Sequence, residues 1–129
     1  MLALLAAAHA IEARLEQGLA TVGLSPAKHS VLYQLAQAGE PLTLSELAAR
    51  VSCVRSNMTQ LVDRLEAEGL VRRVDDPDDR RIVRAAITAL GQEREAAGAV
   101  QVQQIQSEFA AALPETDRVA LERALAALK

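Results

Sequence analysis

With 129 residues, half of them apolar, the chain can bury one core without metal or disulfide staples and is too apolar to stay disordered. Its single cysteine, Cys53, excludes an internal disulfide and fits a reducing compartment, while a net charge of −3 argues against a generally basic nucleic-acid binder. Alanine and leucine dominate, aromatics are 2%, and β-branched residues are sparse outside 70–88, which favours a mostly helical chain.

Residues 1–10, MLALLAAAHA, end in Ala8-His9-Ala10 like a secretory apolar segment, but no basic residue precedes them. Their stripe runs on through Leu2, Leu5, Ile11, Leu15, Leu19 and Val22. This continuity predicts a first helix over 1–20 that ends near Gly23, and a cytoplasmic protein. No apolar run is long enough to span a bilayer. Ser25-Pro26 starts a second helix, with Ser25 as N-cap and Pro26 at the first helical position. It carries Val31, Leu32 and Leu35 inward and stops at Gly39, with Pro41 beyond.

Thr43-Leu44-Ser45-Glu46 has the form of a capping box and opens a third helix over 44–51, after a tiny strand at 41–43. Leu44, Leu47, Ala48 and Val51 fall at i, i+3, i+4, i+7, and Met58, Leu61, Val62 and Leu65 repeat the pattern. The gap between the two sets leaves room only for a tight turn and the start of a fourth helix, over 54–68. That helix lacks a polar cap, since Cys53 or Val54 stands where Ser or Asp is expected. Extended segments at 70–75 and 81–87 follow, joined by Asp75-Asp76-Pro77-Asp78-Asp79-Arg80-Arg81. Val83, Ala85 and Ile87 alternate with Arg84 and Ala86, as in a strand buried on one face. Thr88 caps a fifth helix over 89–112 with Val102, Ile105 and Phe109 in register. Pro114, at a first helical position, starts a last helix bearing Leu121, Leu125 and Leu128.

This order predicts a mainly α fold: a winged helix-turn-helix with a two-stranded β wing and terminal dimerisation helices. Within a single domain over 1–129, residues 24–88 form the DNA-binding core. Residues 1–22 and 89–129 form the helical dimerisation region. Terminal amphipathic stripes without a partner in their own chain suggest a homodimer, the alternative being that they pack on one another.

A winged helix-turn-helix presents a helix to the major groove of double-stranded DNA. Opposite the apolar stripe of the fourth helix lie Ser56, Gln60, Asp63 and Ala67, flanked by Asn57, Thr59 and Arg64. Gln60 or Asn57 can pair bidentately with adenine, and Arg64 can reach guanine or phosphate. The alternative is an ordinary solvated face. At the wing, Arg80 and Arg81 suit a narrow minor groove, with Arg72 and Arg73 as phosphate contacts. From 53 to 84 seven arginines face seven acids, so affinity depends on where the arginines point.

These stretches resemble the MarR family of bacterial transcriptional regulators. The resemblance rests on Leu44-Ser45-Glu46-Leu47-Ala48, on Asn57 through Glu66 leading into Gly69-Leu70-Val71-Arg72-Arg73, on Asp79-Arg80-Arg81, and on Ile87-Thr88-Ala89-Leu90-Gly91. It implies a homodimeric winged-helix repressor or activator, often responsive to small phenolic or other aromatic ligands or to oxidants. The DNA-binding set is then Arg55, Ser56, Asn57, Thr59, Gln60, Arg64, Arg80 and Arg81. Asp79 orients a wing arginine within the family's Asp-x-Arg pattern; the alternative is a surface ion-pair turn. The chain departs from the pattern at Ser52, where glycine is common, and at Cys53-Val54. Its first helix also starts almost at residue 1, without the extra ligand-binding segment of some relatives.

For sensing, His9, His29 and Tyr33 stand out near where a small-molecule effector would enter, between dimer helices and reading core. Cys53, at the start of the reading helix, is a candidate redox site, although a lone cysteine between helices is more often a small core residue. The two histidines have no metal-ligand spacing, and neither a metal nor a cofactor is expected. With no nucleophile–base pair, phosphate loop or metal cluster, the chain does not read as an enzyme. The expected function is an operator-binding regulator, as a repressor, released by a small-molecule effector. The alternatives are a winged-helix protein-interaction module and a redox-responsive regulator.

Overall fold

The computed structural model describes residues 2–51 and 55–128. Among the described residues six helices and three short strands follow in the order α1 (Leu2–Ala20), α2 (Pro26–Ala38), β1 (Leu42–Thr43), α3 (Leu44–Arg50), α4 (Arg55–Ala67), β2 (Val71–Asp75), β3 (Val83–Ile87), α5 (Ala89–Ala112) and α6 (Glu115–Ala126). Among the described residues no helix is long and apolar enough to cross a membrane.

Local chemistry sets the boundaries. The Ser25 hydroxyl accepts from the Lys28 N–H at the start of α2, and Gly39, at φ 68°, ends it. The capping box at α3 is complete: Thr43 Oγ1 accepts from the Glu46 N–H, and Glu46 accepts from the Thr43 N–H. α4 ends in a Schellman turn, with Leu70 N–H on Leu65 O, Gly69 N–H on Glu66 O, and Gly69 at φ 77°. Thr88 caps α5 through the Gly91 N–H. Pro114 differs from expectation by one place. At ψ 148° it is the extended cap of α6, and Glu115 is the first helical residue.

The sheet is antiparallel, in the order β1-β3-β2, with Leu42 opposite Ala85 and Thr43 opposite Arg84 on one edge, and Val71 opposite Ile87 through Asp75 opposite Val83 on the other. β3 is therefore a central strand, which corrects its reading as buried on one face. Ala85 faces the core, and Ala86 on the other face is also buried, beside Leu35, Ala36 and the Gly39–Pro41 turn.

The core joins Leu32 and Leu35 of α2, Leu47 of α3, Met58, Val62 and Leu65 of α4, and Leu70 and Val71, all nearly inaccessible to solvent. Both apolar quartets supply it, with Val51 and Leu61 at its margin. α1 crosses α5 closely at Gly18, where a Cβ would lie 2.9 Å from Ile105 Cδ1. Arg14 donates to Glu108 across the same pair at 2.8 Å. Most of the apolar stripe of these helices stays uncovered. Phe109, Leu121 and Leu125 are 37–43% exposed, and α6 buries none of its residues.

Candidate nucleic-acid interface

α4 is buried on one side and exposed on the other. Met58, Val62 and Leu65 are wholly buried against α3 and the sheet, so the helix cannot rotate without emptying the core. The opposite side exposes Asn57, Thr59, Gln60 and Arg64. Arg55 and Ser56 lie in the first turn of α4, and their side chains fall outside the description. Ser52, Cys53 and Val54 lie outside the described residues, and with them the redox reading of Cys53.

The balance of seven arginines and seven acids resolves once the pairs are traced. Arg73 donates to Glu66 Oε1 at 2.7 Å and also to Asp63, both on α4. Lys28 of α2 donates to Glu68 at 2.6 Å. Arg84 donates to Asp76 at 3.3 Å, and Arg81 to Asp79 at 3.1 Å. Five of the seven acids are thus engaged inside the molecule. Among the described residues Arg64, Arg72 and Arg80 have no carboxylate partner. Charge is neutral in sum, but on α4 the unneutralised charged side chain among the described residues is Arg64, whereas the wing keeps exposed Asp75 and Asp78 without a cation partner alongside Arg80.

This tracing relocates two residues expected at phosphate. Arg73 shares a sheet face with Val71, so its guanidinium meets the end of α4 and is consumed there. Arg72, on the other face, lies beside Ala86, Gly39 and Gln92, away from α4. Strand alternation from the buried Val71 carried that signal in the sequence.

The wing turn is built by its aspartates. Asp76 accepts from the N–H groups of Asp78 (2.8 Å) and Asp79 (3.2 Å), and backbone bonds link Asp76 N–H to Ile82 O and Ile82 N–H to Asp79 O. The Asp78 N–H, with Arg84 adding to it, holds the Asp76 carboxyl below the usual carboxylate range. The Arg81 guanidinium, followed by its N–H, does the same for Asp79. Asp79 accepts from Arg81 N, Nε and Nη2 at 3.0–3.2 Å, yet the Arg81 side chain remains 90% exposed. Asp79 thus hydrogen-bonds an arginine whose side chain points outward, and Arg80 beside it is exposed.

Between α2, the end of α3 and α5 lies a cleft of about 530 Å³, lined by His29, Tyr33, Arg50, Val51, Val102 and Gln106 among others. His29 is 9% exposed, and among the described residues its Nε2 has no hydrogen-bond partner. Glu95 Oε1 is 3.9 Å from that nitrogen, and a Cβ at Gly98 would press into the ring. The Tyr33 ring is centred 6.4 Å from that of His29. Of the three expected effector residues, His29 and Tyr33 come together here. His9 does not: it is exposed on α1 and absent from the lining. Arg50 is a cation of the cleft that the sequence reading missed.

Residues 24–83 match the model of the MarR family. The chain is 37% identical over 71 residues to YkoM of Bacillus subtilis, an uncharacterized HTH-type transcriptional regulator, over 55% of this chain and 46% of YkoM. It is 32% identical over 81 residues to the HTH-type transcriptional repressor MdtR of the same organism, over 63% of this chain and 52% of MdtR. The chain spans about half the length of the curated relatives it matches. CouR from Rhodococcus jostii RHA1, whose crystal structure holds p-coumaroyl-CoA, superposes with a TM-score of 0.81 at 26% identity, over 97% of this chain and 87% of CouR.

Proposed function

We propose that the chain, whose residues 24–83 match the MarR family, is a MarR-type regulator: a sequence-specific DNA-binding repressor that acts as a homodimer on a pseudo-palindromic operator. One observation carries the proposal. α4 is locked into the core by Met58, Val62 and Leu65 and presents Asn57, Gln60 and an unpaired Arg64 to solvent, while the acids beside it are bound within the chain.

In this reading residues 24–88 are the DNA-binding core, and α4 enters the major groove. Arg55, Ser56, Asn57, Thr59, Gln60 and Arg64 contact bases and nearby phosphate. Arg80 and Arg81 follow the wing into the adjacent minor groove, with Arg81 aimed by Asp79. Residues 1–22 and 89–129 pair with a second copy. The groove of about 700 Å³ lined by Ile11, Phe109, Val119, Leu121 and Leu125 supports this, since water is a poor neighbour for it. Pairing sets two α4 helices roughly one DNA turn, ~34 Å, apart.

The cleft holding His29 and Tyr33 is the proposed effector site. It separates the reading core from α5, so an occupant there biases the spacing of the two reading helices and releases the operator by population shift. CouR, solved with an aromatic thioester, supports an effector of that general kind. The protein works in the cytoplasm, and its role is binding rather than catalysis.

Selection of duplexes from a randomised library, followed by titration of the enriched duplex against salt, tests the proposal. An enriched sequence whose affinity falls steeply with salt is expected. No enrichment and a flat salt response would favour a protein-interaction module instead.

A further inference from the structure

A single guanidinium joins the wing to the helix-turn-helix. Arg84 sits in the central strand, opposite Thr43 on one side and Val74 on the other. Its Nη2 donates to Asp76 Oδ2 at 3.3 Å, and its Nη1 lies 3.8 Å from Glu46 Oε1. Each carboxylate already organises a turn. Asp76, with a side chain only 14% exposed, gathers the Asp78 and Asp79 N–H groups at the base of the wing tip. Glu46 closes the capping box that starts α3.

We propose that Arg84 is a positioning residue that fixes the angle of the wing against α3 and α4, so that Arg80 and Arg81 meet DNA together with the reading helix; this rests on the DNA-binding reading above. The topology makes such a device necessary. β1 pairs with β3 only as far as Thr43 opposite Arg84. Beyond that point the wing is a two-stranded ribbon, which is weakly held by itself. Arg84 stands at the point where the third strand stops, and its two partners lie on either side of that hinge. Its pairs are partly exposed, so they add little to global stability. Their effect falls on wing orientation instead.

The test uses the full chain, Arg84→Ala, Arg84→Lys and the enriched duplex. Arg84→Ala is expected to leave the unfolding midpoint in place and to speed amide hydrogen exchange at Asp79 and Ile82 about fivefold or more. Duplex affinity falls about tenfold, the scale of lost wing contacts. It falls no further when Arg84→Ala is added to Arg80→Ala/Arg81→Ala, because Arg84 acts through the wing. Arg84→Lys, which keeps the charge but cannot span both carboxylates, keeps part of the affinity at most. Unchanged exchange in Arg84→Ala overturns the strut. Undiminished affinity, or a full additional loss in the background lacking the wing arginines, overturns its action through the wing. If the unaltered chain enriches no duplex, the DNA-binding reading fails separately, and exchange alone decides the strut.

Discussion

Arg73 holds Glu66 by both carboxylate oxygens: its guanidinium donates to Oε1 at 2.7 Å and its backbone N–H donates to Oε2 at 3.1 Å. The same guanidinium reaches Asp63 one turn earlier on α4. The first residues of the wing thus neutralise the two acids on the C-terminal half of the reading helix, leaving Arg64 between them without a competitor.

Arg73→Ala should therefore act in two ways. Loss of a partly buried, charge-assisted pair costs about 1 kcal/mol of stability, measured by urea unfolding. Duplex affinity also falls, although Arg73 faces away from DNA, because two carboxylates are returned to the reading face. Adding Asp63→Asn and Glu66→Gln should restore affinity. An affinity unchanged in Arg73→Ala would refute the neutralising role.

Gly91 is fixed by contact rather than by backbone angle. A Cβ there would overlap the Leu70 carbonyl oxygen and crowd Ile87, and that carbonyl is held by the Thr88 N–H while the Thr88 hydroxyl donates to the Gly69 carbonyl next to it. Gly91→Ala should destabilise the fold by about 2–3 kcal/mol. Gly39→Ala meets open space and pays only for its left-handed conformation, about 1 kcal/mol. Denaturant midpoints that rank the two the other way would contradict this packing.

The wing should loosen in acid. Asp76 and Asp79 have depressed folded values, so their contribution is complete above the ordinary carboxylate range, about pH 4, and is lost as pH falls through the lower folded values. Amide resonances of Asp78, Asp79 and Arg81 should shift with those carboxylates, while core amides such as Leu65 stay in place. Wing amides that are silent between neutral pH and pH 2 would show that the aspartates do not order the turn.

Substitution in the terminal groove should separate assembly from folding. Leu121→Glu or Leu125→Glu places a charge on a face that the chain itself leaves about two-fifths exposed, so the protomer stays folded. Sedimentation should show dimer becoming monomer, and duplex affinity should fall with it. A dimer undisturbed by both changes would place the interface elsewhere.

Features set by neighbours in sequence were legible; features set by distant partners were not. Ser25, Thr43 with Glu46, Gly39 and Thr88 cap their helices as their residue types demand, since a cap reaches only three or four residues. The apolar quartets placed α3 and α4 for the same reason. Burial of Ala86 depended on a turn more than forty residues earlier, which strand alternation does not register. The charge pairs were the least legible, because Lys28 finds Glu68 forty residues away and Arg84 divides itself between Glu46 and Asp76. His29 and His9 looked alike in sequence; only the crossing at Gly98 shows which one lines the cleft.

The exposed side of α4 is expected to meet base pairs. The most direct measurement of this is the affinity of the triple variant Asn57→Ala/Gln60→Ala/Arg64→Ala for the enriched duplex and for a scrambled one. We expect the variant to remain a folded dimer and to lose about a hundredfold or more of its affinity for the enriched sequence, while binding to the scrambled duplex changes far less. Retention of the full preference for the enriched sequence would contradict the account.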